Sequence, residues 1–86
     1  MTREESYQKL KEIVAKAKNY HPDEIKAWQK FVDDLGFGAA ALAQLAQIIN
    51  TEFAKEGIAL NITVDAIRKA SEVSMLEILI WKKINE

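Results

Sequence analysis

The spacing of apolar residues constrains this chain most: they recur every three or four positions in three long stretches, and proline or glycine separates the stretches. Tyr7, Leu10, Val14 and Ala17 keep that interval with Lys and Glu between them, which predicts a helix over Arg3 to Lys18. Thr2 and Glu5 fit a capping box at its start. Ala39 to Lys55 is dense in helix formers, with Leu42, Leu45, Ile49 and Phe53 on one stripe. A third stripe runs through Val73, Leu76, Ile80 and Ile84, widened by Met75, Leu79 and Trp81, with Ser71 as its expected cap. Thr63 is expected to cap a short helix that reaches Lys69 and turns Val64 and Ile67 inward.

The interruptions carry their own meaning. Pro22 lacks an amide hydrogen and biases the residue before it away from helical angles, which ends the first helix near Asn19 to His21. Asp23 to Asp34 is expected to be a loop with a turn or two of helix, with Ile25, Trp28, Phe31, Val32 and Leu35 inward. Gly36 and Gly38 flank Phe37 and mark unusual backbone angles, and Gly57 is a natural helix stop. Ile58, Leu60 and Ile62 alternate as a strand would. Nothing else in the chain can pair with them, so an extended packed loop is expected. The sum is one all-α domain over residues 1–86, a four-helix bundle of three long helices and one short. At that length a single core removes about 60 to 65% of the unfolded surface from water.

Twelve basic residues against thirteen acidic ones, neither gathered into a block, make a nucleic-acid partner unexpected. The absence of cysteine excludes disulfides, thiolate nucleophiles and sulfur-based zinc sites. Charges at the N-terminus occupy the place where a signal peptide needs an apolar core, and no stretch approaches the ~20 apolar residues of a membrane span. A soluble, cytoplasmic, monomeric protein is expected. Met1 and the charged start suit a free-standing protein or a domain with a neat boundary.

In this order and spacing the motifs resemble the acyl carrier protein family. Asp34, Leu35 and Gly36 match the opening of its D-L-G-x-D-S-L motif, and Phe31, Val32 and Asp33 match the lead-in. His21 to Ile25, HPDEI, is similar to the family's P-E-E-[IV] loop. Leu45 and Phe53 fall where its second helix buries large residues, and Gly57 with Ile58 matches the exit from that helix. Ile62 to Val64 and Val73 to Ile80 resemble its short third helix and the start of its fourth. The resemblance implies a four-helix carrier whose motif serine takes 4'-phosphopantetheine from coenzyme A. The thiol of that arm would hold acyl intermediates in polyketide or fatty-acid biosynthesis. It implies a phosphopantetheinyl transferase and synthase or tailoring enzymes as partners, docking on Phe37, Ala40, Ala43, Gln44 and Gln47.

The departures sit at the working end. Asp-Ser-Leu of the family becomes Gly38, Ala39 and Ala40, and acidic positions beyond become Ala41 and Gln44, leaving Glu52 as the only acid of that helix. A methyl group at Ala39 has no oxygen to form a phosphodiester, so no arm can be attached there. Recognition is then expected to rely less on charge and more on shape and apolar contact. Two explanations stand for Ala39: a carrier serine was replaced, or the fold drifted into an unloaded interaction module that docks partners without covalent cargo.

Other candidates are weaker. Trp28 and Trp81 are read as core aromatics rather than a ligand pocket. His21 lacks a second metal ligand at suitable spacing and is read as solvent-facing. Asp33 and Asp34 point in different directions and suit capping or surface roles. Ser6, Ser71 and Ser74 are assigned to capping or exposure. No nucleophile, base and stabiliser can be assembled, so no enzyme activity is expected. An acyl cleft among the second, third and fourth helices and a fully packed core both remain open at this level.

Overall fold

The computed structural model describes residues 1–86 and contains four α-helices and no strand. Helix α1 spans Arg3–Lys18, as its periodicity predicts. Thr2 Oγ1 accepts from the Glu5 amide at 3.1 Å and Glu5 Oε1 accepts from the Thr2 amide at 2.7 Å, closing the capping box. These bonds hold the Glu5 carboxyl below the usual glutamate range, the backbone donor contributing most. Asn19 ends the helix in the left-handed region at φ 59°. The face turned inward carries Ser6, Leu10, Ile13, Val14 and Ala15. Ala17, expected on that face, is exposed and borders an open groove with Lys16, Gln44 and Gln47.

The segment after α1 is a chain of tight turns. His21 is exposed, as expected, and also caps a single 3-10 turn, Pro22–Glu24: its Nδ1 accepts from the Asp23 amide at 3.2 Å. Asp34 Oδ2 accepts from the Lys30 amide at 2.8 Å and closes the turn that ends at Leu35. Ile25, Phe31 and Leu35 are buried, as expected. Trp28 and Val32 are not: they stand 66% and 54% exposed, correcting the inward assignment. The cause is long-range backbone pairing. The Ser74 amide donates to the Ala27 carbonyl (2.9 Å), the Val73 amide to Gln29 (3.0 Å), and the Phe31 amide to Ser71 (3.0 Å). With the carbonyls on either side of it committed, Trp28 is left at the outer tip of its turn.

Helix α2 spans Ala39–Ala54, one residue short of the expected end, and buries Leu42, Leu45, Ala46, Ile49 and Phe53. Gly57, at φ 77°, reverses the chain, and the Ile58 amide returns to the Phe53 carbonyl. The extended segment that follows pairs with a side chain instead of a strand. Asn50 Nδ2 donates to the Ile62 carbonyl at 2.9 Å while its Oδ1 accepts from the Ile62 amide at 2.8 Å. Thr63 caps α3, Val64–Ala70, by accepting from the Ala66 amide at 3.1 Å.

Helix α4 spans Val73–Ile84 and buries Val73, Leu76, Glu77 and Ile80. Ser71 is not its cap. It ends α3 at φ 66°, and Glu72 takes the position before α4 without a side-chain cap. The first α4 amides are satisfied instead by the carbonyls of Ala27 and Gln29. Met75 is exposed, and Leu79 and Trp81 are half-buried, so the core stripe of α4 is narrower than the sequence suggests.

Helix α1 packs on both α2 and α4, and α3 bridges α2 to α4. Eighteen apolar residues form one core, with Phe31, Phe37, Phe53, Leu45 and Ile49 among those sealed from water. Glu77 is clamped by Arg3, whose Nε and Nη2 each donate to a carboxylate oxygen at 3.0 Å, tying the first turn of α1 to α4. The fold is an all-α four-helix bundle.

Candidate functional site

The turn Leu35 to Gly38 delivers the chain to α2. Gly36 takes φ 71°, a left-handed conformation that glycine adopts without cost. The reversal lets the Phe37 amide donate to the Phe31 carbonyl at 2.8 Å and sends the Phe37 ring inward, edge-on to Phe31 with centroids 5.9 Å apart. Lys18 closes the turn from outside, its Nζ donating to the Gly36 carbonyl at 3.2 Å and lying 5.0 Å from the Phe37 ring centre.

Phe37 is 1% exposed. The expected partner contact at this position is therefore corrected: Phe37 anchors the turn and offers no surface. Ala40, Ala43, Gln44 and Gln47 are exposed along α2, and Ala39 is exposed at its first position. Gly38 precedes it at φ −84° with no side-chain cap, and a Cβ there would meet nothing within 4 Å. The amides of Ala39, Ala40 and Ala41 have no protein acceptor, and no acid occupies the first turn.

Beside this mouth lies a cavity of about 180 Å³ floored by Phe31, Leu42 and Ile67 and rimmed by Lys30, Asp33 and Arg68. That is below the ~300 Å³ at which pockets begin to enclose a small ligand. Deeper in, Leu45, Ile49, Phe53 and Ile80 are fully packed. A larger open groove of about 580 Å³ runs between α1 and α2 and includes Gln44 and Gln47. Along it Glu52 pairs with Lys55 at 3.0 Å, which lowers its pKa, chiefly through that hydrogen bond.

No group of three or more His, Asp or Glu side chains is placed to hold a metal ion. Asp33 and Asp34 are both exposed, and Asp34 is occupied as a turn cap. Ser74 donates to Glu72 at 2.8 Å. Ser6, assigned to capping or exposure, is instead 1% exposed, and its Oγ has no protein hydrogen-bond partner. Nearby, burial raises the Tyr7 phenol, with a smaller push from the Glu77 charge. Sequence reasoning missed Glu77 too, although it sits on the buried stripe of α4, where a carboxylate signals a cation partner. No helix is long and apolar enough to cross a membrane. No protein-family model matches the chain, and no curated protein matches it.

Proposed function

We propose that this chain is an acyl carrier protein domain of the polyketide or fatty-acid type, with alanine at the position of phosphopantetheine attachment. The observation that supports it is Ala39: it follows the Asp34-Leu35-Gly36 turn and is exposed at the first position of α2. A hydroxyl there would meet solvent beside three free backbone amides, a setting suited to a phosphodiester. The position fits the arm and the side chain does not, because a methyl group cannot form the bond. As written the domain carries nothing and performs no chemistry. In a serine-bearing parent it would present acyl thioesters to a phosphopantetheinyl transferase and to synthase or tailoring enzymes through Ala40, Ala43, Gln44 and Gln47. It would work as a cytoplasmic monomer.

A second reading, an unloaded module that docks partners through the same bundle, is favoured by the company Ala39 keeps. Gly38 leaves the helix uncapped and the first turn carries no acid, so the change is wider than one residue. The test is Ala39→Ser incubated with coenzyme A and a promiscuous phosphopantetheinyl transferase. A gain equal to the arm in the intact mass supports the carrier reading. An unchanged mass, with helical circular dichroism retained, refutes it in favour of the module.

A further inference from the structure

Between α3 and α4 the bundle leaves a second apolar surface that the carrier reading does not use. An open groove of about 360 Å³ runs between them, with Ala66 and Ala70 as its low wall on α3 and Met75, Ile78 and Leu79 as its high wall on α4. Met75 and Ile78 are 48% and 40% exposed, although both are large and apolar. Their neighbours Leu76 and Ile80 fill the core and Leu79 packs partly against it, which leaves Met75 and Ile78 as the large apolar side chains facing outward.

The rim of the groove is cationic. Lys69 on α3 and Lys82 on α4 complete its lining, and neither forms an ion pair. Asp65, one turn before Lys69, lies outside the lining, and Glu72 at the head of α4 is engaged by Ser74. From Met75 to Lys82 the α4 wall extends about 10 Å, two helical turns. That length matches apolar positions i, i+3, i+4 and i+7 of a partner helix.

We propose that the α3–α4 groove is a docking site for an amphipathic helix of a partner protein, one whose apolar stripe is flanked by Asp or Glu. The small alanines on one wall let a helix backbone approach closely, and the large side chains opposite interdigitate with its apolar stripe. Lys69 and Lys82 then face the flanking carboxylates. A second copy of this chain is disfavoured, because a two-fold contact through this face sets its lysines against each other. A bilayer is disfavoured as well, since only two cations border the groove.

The probe is a synthetic amphipathic peptide with leucines at every third and fourth position and flanking glutamates, titrated against the isotope-labelled protein and followed by NMR. Saturable shifts are expected at Ala66, Ala70, Met75, Ile78 and Leu79, and not along α2. Lys69→Glu with Lys82→Glu should weaken binding about tenfold, the worth of two partly exposed charge pairs. The same protein should gain affinity for a peptide whose flanking glutamates are replaced by lysines. Ile78→Ser should weaken binding of the original peptide while leaving the fold intact, since this side chain is outside the core. The proposal is overturned by an absence of saturable shifts, by shifts centred elsewhere, or by equal binding of the lysine-flanked peptide to the unaltered protein. It is equally overturned if these residues shift with protein concentration alone, or if phosphatidylglycerol vesicles bind this face while the peptide does not.

Discussion

Asn50→Leu removes both hydrogen bonds that hold the segment between α2 and α3 against the bundle while keeping the branching and the number of side-chain heavy atoms. In the unaltered protein the Asn50 amide serves the Ile62 carbonyl at 2.9 Å and the Ile62 amide at 2.8 Å, much as a neighbouring strand would. Ile62 is 2% exposed, so its freed backbone groups do not readily find water. Each lost bond costs about 1 kcal/mol, and desolvation of the stranded groups brings the total to about 3 kcal/mol. Against the 5–15 kcal/mol typical of a domain, that is a large fraction of its stability. At roughly 4–8 °C per kcal/mol for a chain of this size, Tm should fall by about 12–24 °C. Thermal and urea melts followed by circular dichroism measure it, and amide exchange at Ile62 should accelerate in parallel. Asn50→Asp keeps the acceptor and should leave the Ile62 amide protected. A leucine variant that melts within about 2 °C of the parent would refute the reasoning, because the segment would then be held by Ile62 packing alone.

Ser6→Ala should stabilise the protein by about 1 kcal/mol, since it removes a buried hydroxyl that no protein group satisfies, and a urea midpoint at or below that of the parent would contradict the assignment. Because the capping box lowers the folded pKa of Glu5 from its ordinary 4.5, the unfolded chain binds more protons just below that pH. The Glu5 contribution is therefore complete above the ordinary value and is lost as the pH falls through the lower folded one. Glu5→Gln should flatten the acid limb of a stability–pH curve, and an unchanged limb would show that the cap is not formed in solution. Trp28→Ala should change stability by no more than about 0.5 kcal/mol, as for an exposed side chain, and should remove the more acrylamide-accessible component of tryptophan fluorescence. A loss of several kcal/mol would mean that the ring is packed after all.

The parts of this fold visible in the sequence are those governed by neighbours along the chain. The capping box at Thr2 and Glu5, the Thr63 cap and the Gly57 stop each depend on residues within a turn, and each stands where local chemistry puts it. The exposed strip Ala40, Ala43, Gln44 and Gln47 was legible for the same reason, since helical period alone sets its face. What escaped depends on distant partners. Ser71 looks like a helix cap until the Phe31 amide reaches its carbonyl, and Trp28 looks like core until α4 recruits the carbonyls on either side of it. Phe37 was misread because two flanking glycines signal a turn without saying which way the ring between them points. Glu77 could have been flagged from its stripe, but its partner lies 74 positions away at Arg3.

The two surfaces this bundle offers differ in a way that ionic strength can separate. On α2 the exposed strip is alanine and glutamine, and the one acid of that helix, Glu52, is already held by Lys55 at 3.0 Å. A partner that docks there meets little uncompensated charge, so association should be slow to steer and nearly indifferent to salt. In the α3–α4 groove two lysines without ion-pair partners flank an apolar floor, so an acidic helix should be captured faster at low salt and released more readily as screening increases. If a partner's affinity for the intact domain falls with salt, and Lys69→Glu with Lys82→Glu abolishes that dependence, its charge-dependent binding runs through α3 and α4. Salt-insensitive binding that survives the same pair of changes points back to α2 and the turn that leads into Ala39.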